Sequence, residues 1–154
     1  MKRLKIYLDT SVISALFDTK SPEMMRWTEE FWKIIDKYEG YISDVVIAEI
    51  QETPDAKLKE QMSEVIKSLT RLEMDEDAEI LSGEYVRYGA VPSKYRKDAM
   101  HIAITTVNHI EILVSWNYRH IVRRKTKEVV RMVNSVHNYP FIEIVAPPEL
   151  LGSD

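Results

Sequence analysis

Short apolar runs alternate along this chain with longer segments in which apolar residues recur at helical spacing. The short runs are too brief for helices and predict strands buried in a sheet. The longer segments predict amphipathic helices, several of which begin at a capping Ser or Asp or at a proline. The predicted strands are 6–8, 41–43, 71–74, 112–114 and 141–145. The predicted helices are 12–17, 22–38, 45–52, 56–69, a segment capped by Asp75 that includes Val86, 94–109 and 125–137.

This alternation of strands and helices indicates the fold class. Parallel strands that follow one another need a crossover of a dozen or more residues, and a helix usually supplies it. We therefore expect an α/β protein, a three-layer α/β/α sandwich whose central sheet is mostly parallel. A length of 154 residues fits one domain, and no repeat or linker interrupts the chain, so we expect a single domain over residues 1–154.

The absence of cysteine narrows the chemistry that the chain can carry. Disulfides and thiolate zinc sites are excluded, so a metal ion would need oxygen or imidazole ligands. A site made of carboxylates would suit Mg²⁺ or Mn²⁺. No apolar run approaches the roughly 18 residues of a membrane span, and the basic start of the chain lacks the apolar core of a signal peptide. We expect a cytoplasmic protein that does not enter membranes.

Charge is distributed unevenly although the net charge is only −4. Residues 47–84 contain eleven acidic and four basic side chains, whereas residues 119–131 contain six basic and one acidic. Such polarity favours an acidic cleft with a basic rim for a polyanion. The alternative is that both stretches are solvated helix faces.

Three carboxylates lie in settings that usually exclude charge. Asp9 follows the apolar run 6–8, at the strand end that faces the ligand crevice in open α/β sheets. Glu49 and Asp98 lie in helices that are otherwise nearly all apolar. Buried carboxylates are costly unless they are paired, hydrogen-bonded or bound to metal, and a divalent cation relieves repulsion among several of them. The alternatives are a helix cap at Asp9 and a local salt bridge or a favourable helix dipole at Asp98.

Four segments of the chain resemble the four motifs of the PIN-domain nucleases, in the same order and with similar spacing. The segments are Leu8-Asp9-Thr10-Ser11-Val12-Ile13, Ser43-Asp44-Val45-Val46-Ile47-Ala48-Glu49-Ile50, Asp98-Ala99-Met100-His101-Ile102-Ala103 and Leu113-Val114-Ser115-Trp116-Asn117-Tyr118-Arg119-His120-Ile121. Each motif alone is weak, but four in order are specific. Within that family the chain is most similar to the VapC-like toxin ribonucleases of bacteria and archaea.

The resemblance implies a PIN-like fold and a ribonuclease that depends on Mg²⁺ or Mn²⁺. Asp9, Glu49 and Asp98 would be the metal ligands, directly or through water. Asn117 stands where many members of the family carry a fourth Asp, so it can offer a carbonyl oxygen but no charge. Thr10 or Ser11 would support the carboxylates or orient the phosphate.

Partners follow from the same resemblance. We expect an RNA substrate, a separately encoded antitoxin protein and a homodimer. Basic side chains near the third and fourth motifs are the candidate phosphate contacts, because such contacts give sequence-independent affinity for nucleic acid. These candidates are Arg96, Arg119, Arg123, Arg124 and Lys125.

The histidines and aromatic residues near these motifs receive mostly structural interpretations. His101 lies one helical turn after Asp98 and is predicted to be a core histidine hydrogen-bonded to the backbone. His120 is predicted to lie on the surface or to contact RNA. Trp27, Phe31 and Trp32 are predicted to belong to the core or to a protein interface rather than to stack on bases.

Two other functions remain open from the sequence. The chain could keep the fold as an RNA- or protein-binding module that lost turnover together with the fourth acid. It could also be a phosphatase with an aspartyl nucleophile at Asp9. The haloacid-dehalogenase-like phosphatases need a second Asp two residues further on, where this chain has Ser11, so the phosphatase ranks last.

Overall fold

The computed structural model describes residues 2–152, which contain one five-stranded sheet. The strands are β1 (Lys5–Leu8), β2 (Glu39–Ser43), β3 (Thr70–Leu72), β4 (Ile112–Val114) and β5 (Glu143–Val145). They lie in the order β3-β2-β1-β4-β5, and all four pairings are parallel. The predicted α/β class is confirmed, and the sheet within the described residues is entirely parallel rather than mostly so.

Seven α-helices supply the crossovers between successive strands in the described part of the chain. They are α1 (Thr10–Ser14), α2 (Pro22–Lys33), α3 (Asp44–Gln51), α4 (Ala56–Val65), α5 (Glu76–Arg87), α6 (Arg96–Val107) and α7 (Arg124–Val136). Short 3₁₀ turns join them at Ala15–Phe17, Ile35–Lys37, Ile66–Ser68, Ser93–Tyr95 and Pro147–Leu150. No helix among residues 2–152 is long and apolar enough to cross a bilayer.

Strand β1 lies at the centre of the sheet and positions the candidate site. Its residues Ile6, Tyr7 and Leu8 are fully buried, which explains why this run is apolar without alternation. Tyr7 pairs with Tyr41 of β2 on one side and with Leu113 of β4 on the other. Because parallel strands end at the same edge, the polar residues that follow β1, β2 and β4 meet there.

Two predicted helices are shorter than their apolar periodicity indicates. The helix predicted over 22–38 ends at Lys33, because Ile34 leaves helical geometry with φ −109° and ψ 6° and a 3₁₀ turn follows. The helix predicted over 56–69 ends at Val65, again in a 3₁₀ turn. In both cases the tighter turn keeps apolar side chains facing inward, so the periodicity continues beyond the α-helix.

Two other boundaries were also wrong. The helix predicted to start at Lys94, with Ser93 as its cap, starts at Arg96, because Tyr95 N–H closes a 3₁₀ turn onto the Pro92 carbonyl at 2.9 Å. The last strand begins at Glu143 rather than at residue 141, where the side chain is exposed.

Helices α5, α6 and α7 are joined by a buried polar contact around Tyr85. The Tyr85 hydroxyl donates to Asn134 Oδ1 at 2.5 Å and lies 3.0 Å from Thr106 Oγ1. All three side chains are buried. Thr106 is in the last turn of α6, and the first turn of the same helix carries Asp98, so this contact helps to set where the acid lies.

We expect Tyr85→Phe to lower the free energy of unfolding by about 1–3 kcal/mol, because it leaves Asn134 Oδ1 buried without its donor. Urea unfolding would measure the loss. Tyr88→Phe, at an exposed tyrosine three residues away, is the matched control and should change little. Equal effects of the two substitutions would contradict the role given to the buried hydroxyl.

Candidate active site

Asp9 lies at the carboxyl end of β1 and caps helix α1. Its Oδ1 accepts the Ser11 hydroxyl at 2.5 Å and, more weakly, the Val12 N–H at 3.4 Å. Its Oδ2 accepts the hydroxyl of Ser115, the residue that follows β4, at 2.5 Å. The side chain is only 3% exposed and forms no salt bridge within residues 2–152. Asp9 is therefore both a helix cap and a buried carboxylate whose partners here are neutral.

Glu49 reaches the same strand end from helix α3. Its Oε1 accepts the Thr10 hydroxyl at 2.5 Å and the Nε2 proton of His101 at 2.8 Å. Because Thr10 directly follows Asp9, this bond ties the Glu49 carboxylate to the segment that carries the first acid. The hydroxyls of Thr10 and Ser11 thus each hold a carboxylate, and their action on a phosphate remains a prediction.

His101 is buried, as predicted, but the prediction that it bonds to the backbone was wrong. Its Nδ1 lies 2.7 Å from the Tyr7 hydroxyl, which in turn lies 2.6 Å from Ser43 Oγ. Its Nε2 bonds to Glu49. The ring therefore links β1, the start of α3 and helix α6 through side chains. One signal of this is visible in the sequence, since His101 is three residues after Asp98 and so shares its helix face.

Asp98 and Asn117 form the other side of the site. Asp98 lies half-buried in the first turn of α6. Burial raises its pKa, and the charge of His101 and the neighbouring Asn117 side chain only partly oppose that rise. Asn117 Oδ1 accepts the backbone N–H of His120 at 2.9 Å. The backbone N–H of Asn117 donates to Ser115 Oγ, also at 2.9 Å. Because Ser115 also donates to Asp9, the fourth motif contacts both the first and the third.

The electrostatics indicate that the three acids surround one imidazole. Burial raises the pKa of Asp9 and of Asp98, and the charge of Asp9 adds to the rise at Asp98. Burial would also raise the pKa of Glu49, but the hydrogen bond and charge of His101 outweigh it, so this pKa is lowered. Burial alone would lower the pKa of His101, yet the bond to Glu49 and the charges of all three acids raise it.

The donor atoms at this site are of the type that a divalent cation binds, but the acids are not spaced to hold one as they stand. The site offers carboxylate and amide oxygens without cysteine, which hard cations such as Mg²⁺ and Mn²⁺ prefer. Asp9 and Asp98 form no salt bridge within the described residues, and their raised pKa values reflect burial of charge. Within residues 2–152, however, no three His, Asp or Glu side chains are grouped closely enough to hold a metal as they stand.

Glu49 is turned toward Thr10 and His101 and is held there by two hydrogen bonds. Its other oxygen, Oε2, accepts no side-chain hydrogen bond among the described residues. In a cation site formed by these acids, Glu49 would contribute by its free oxygen, by a shift of the side chain or through water.

His120 differs from its prediction as a surface residue. It is 8% exposed and stacks on Tyr95, with ring centroids 4.1 Å apart and an interplanar angle of 29°. Neither ring nitrogen has a hydrogen-bond partner among the described residues, although both are buried. Its charge contributes a little against the rise that burial causes in the pKa of Asp98. Buried polar atoms without partners are rare, so the Asp98 side of the site is incompletely satisfied by the protein alone.

Four of the five candidate phosphate contacts have exposed side chains, namely Arg96, Arg119, Arg124 and Lys125. Arg123 does not, because its guanidinium donates to the Ala90 carbonyl at 3.0 Å and to Thr126 Oγ1 at 2.7 Å. These bonds anchor the start of α7, so Arg123 has a structural role. Arg124 also bonds Glu128, but that pair is exposed and weak.

Comparison with known proteins defines the class to which this fold and site belong. A family model described as the PIN domain matches residues 6–125, which include all four acid or amide positions of the site. The chain therefore belongs to the PIN domain family. Comparison with curated protein sequences finds no match.

Solved structures add more particular likenesses. A chain of the DNA-bound VapBC complex from Salmonella typhimurium superposes with a TM-score of 0.60 and 18% identity, covering 94% of this chain and 98% of that one. A chain of VapBC2 from Rickettsia felis, bound to a promoter DNA fragment, gives 0.59 and 10%, covering 93% and 98%. VapC20 from Mycobacterium tuberculosis, described as a Sarcin-Ricin loop cleaving toxin, gives 0.59 and 14%, covering 75% and 92%. At these identities the likeness is one of fold.

We expect Asp98→Asn to stabilise the protein at pH 7. A carboxyl whose folded pKa is raised costs stability as pH rises through its unfolded value toward its folded value, and the amide avoids this cost. The melting temperature should rise at pH 7 by about 2–4 °C for each kcal/mol relieved. Below the ordinary Asp range of about 4, where wild-type Asp98 is protonated, the difference should shrink.

Thermal unfolding at several pH values would measure both effects. Asp77→Asn is the matched control, since Asp77 is an exposed acid in the first turn of α5. A lower melting temperature for Asp98→Asn than for wild type at pH 7 would contradict the account of a carboxyl whose pKa is raised by burial. So would a difference in melting temperature that does not narrow in acid.

Proposed function

We propose that this protein is an endoribonuclease that requires Mg²⁺ or Mn²⁺ and hydrolyses RNA phosphodiester bonds. The observation that carries the proposal is the meeting of four motif residues at one sheet edge, where Asp9, Glu49 and Asp98 all act on His101. Acids that are partly or almost fully buried with so little positive charge nearby are better suited to a divalent cation than to structure alone.

Each side chain has a distinct part in the proposed reaction. Asp9 and Asp98 would hold the cation, with Glu49 as a further ligand directly or through water. A divalent cation bound there would supply Lewis-acid activation of the attacking water and neutralise charge on the phosphate oxygens. His101 keeps Glu49 ionised, because its hydrogen bond and charge lower the pKa of that carboxyl. Ser11, Ser115 and Thr10 fix the carboxylate orientations.

The VapBC likeness supports a more specific role as the toxin of a toxin–antitoxin pair. Two of the similar structures are described as VapBC complexes and a third as a toxin that cleaves the Sarcin-Ricin loop. We therefore propose an RNA substrate, a cognate antitoxin partner and a homodimer. The exposed side chains of Arg96, Arg119, Arg124 and Lys125 are proposed to contact RNA phosphates.

RNA cleavage should depend on both the cation and Asp9. We expect EDTA to abolish cleavage of single-stranded RNA, Mn²⁺ or Mg²⁺ to restore it, and Asp9→Asn to lower kcat/KM by about 100-fold or more, since metal catalysis supplies several kcal/mol. Asn still caps helices, so the variant should fold. Asp77→Asn should cleave normally. Cleavage that survives both EDTA and Asp9→Asn would refute the proposal.

A second candidate is the same fold acting as an RNA- or protein-binding module with little turnover. Asn117 favours this second candidate, because its Oδ1 already accepts the His120 N–H and its side chain offers no charge to a cation. This candidate expects RNA binding that does not respond to Mg²⁺, no cleavage by wild type, and cleavage that appears with Asn117→Asp. The nuclease proposal expects wild-type cleavage without that substitution.

A further inference from the structure

A pocket lined by aromatic rings opens beside the acidic site. Its volume is about 530 Å³, and two of the three tryptophans of the chain line it. Tyr118 and Trp27 are 55% and 39% exposed, so the fold leaves their rings accessible. Its aromatic lining is formed by Trp27, Trp116 and Tyr118, and Glu23 is the one charged residue in the lining.

The pocket is connected to Asp9 through the loop that follows β4. The backbone N–H of Trp116 donates to Ser11 Oγ at 2.9 Å, and the Ser11 hydroxyl donates to Asp9 Oδ1 at 2.5 Å. Tyr118 N–H donates to the Trp116 carbonyl at 2.9 Å. The same short loop therefore supports the first acid with its backbone and forms the pocket with its side chains.

The rings of Trp116 and Tyr118 make their contacts within the protein at their edges. The Trp116 indole N–H donates to Thr28 Oγ1 at 2.9 Å, and the Thr28 hydroxyl donates to the Met24 carbonyl at 2.7 Å. The rings of Trp116 and Tyr118 meet edge to face, with centroids 6.3 Å apart. The Trp116 indole is therefore held in place before a ligand binds, which lowers the entropic cost of a contact with its ring.

We propose that this aromatic pocket binds an unpaired base of the RNA substrate, next to the bond that is cut. The proposal rests on the proposed ribonuclease function and adds to it a preference for single-stranded RNA with an unpaired base at a defined position. Every base has a ring face that can stack on an aromatic side chain, whereas the pocket lining contains no cation for a phosphate. Exposed Arg119 follows Tyr118 directly and supplies a positive charge for the backbone of the same strand.

Binding of an intact, 5′-labelled single-stranded heptamer RNA, measured by fluorescence anisotropy in EDTA, tests this. We expect Tyr118→Ala and Trp27→Ala each to weaken binding by about 5- to 100-fold, as loss of one base–aromatic stack does. Tyr118→Phe, which keeps the ring, should bind as wild type does. Tyr88→Ala is the matched control, since Tyr88 is 48% exposed and lies outside the pocket.

A series of RNAs, each with the base removed from a different single nucleotide, completes the test. When the abasic nucleotide is the one whose base would fill the pocket, wild type and Tyr118→Ala should bind the RNA equally. If wild type binds the intact RNA and neither alanine variant is weaker, or if wild type does not bind it, the pocket proposal fails. If Tyr118→Ala instead changes only the oligomeric state, measured by light scattering, the pocket is a protein interface and the proposal also fails.

The nuclease proposal is judged separately, by cleavage with Mn²⁺. Wild-type cleavage together with unchanged binding by both alanine variants would leave the nuclease standing and remove only the base pocket. Absence of wild-type cleavage on every RNA would count against the nuclease itself.

Discussion

Burial of several carboxylates around one imidazole is the constraint on which the rest of this site depends. Asp9 is almost fully buried, Glu49 and Asp98 are partly buried, and His101 provides the largest charge that compensates them. Removing charge from water costs several kcal/mol unless partners replace the solvent. Hydroxyl groups from Thr10 and Ser115 reduce this cost but bring no charge. This arrangement lowers the free energy of unfolding, and such a loss of stability is typical of functional sites.

The parallel sheet explains why the acids meet although the chain separates them widely. Strands β1, β2 and β4 end at one edge, and the next residues carry the polar groups. Helix α3 starts there because Ser43 caps it, which brings Glu49 to Thr10. Helix α6 is fixed at its far end by Tyr85 and Asn134 and presents Asp98 and His101 at its near end. The site is thus a consequence of topology, and its details depend on a few hydroxyl contacts.

Local patterns were sufficient for the fold but not for the long-range contacts. Buried strands are continuous apolar runs, so β1 and β4 could be placed closely, and four motif residues marked the site. The partners of His101 could not be predicted, because Tyr7 and Glu49 lie 94 and 52 positions away. The bond of Arg123 to the Ala90 carbonyl could not be predicted either, because Ala90 is 33 positions away. Helix ends at Lys33 and Val65 were missed because a 3₁₀ turn preserves the apolar pattern.

The most direct test of this account is calorimetric titration of the wild-type protein with Mn²⁺ at pH 7, without RNA. If the acids share a cation site, wild type should bind Mn²⁺, because a divalent cation offsets the buried negative charge that raises the pKa of Asp98. Asp98→Asn should bind at least about 10-fold more weakly, as loss of a group that supports a metal site does. Equal Mn²⁺ binding by the two proteins, or none by wild type, would contradict the central claim.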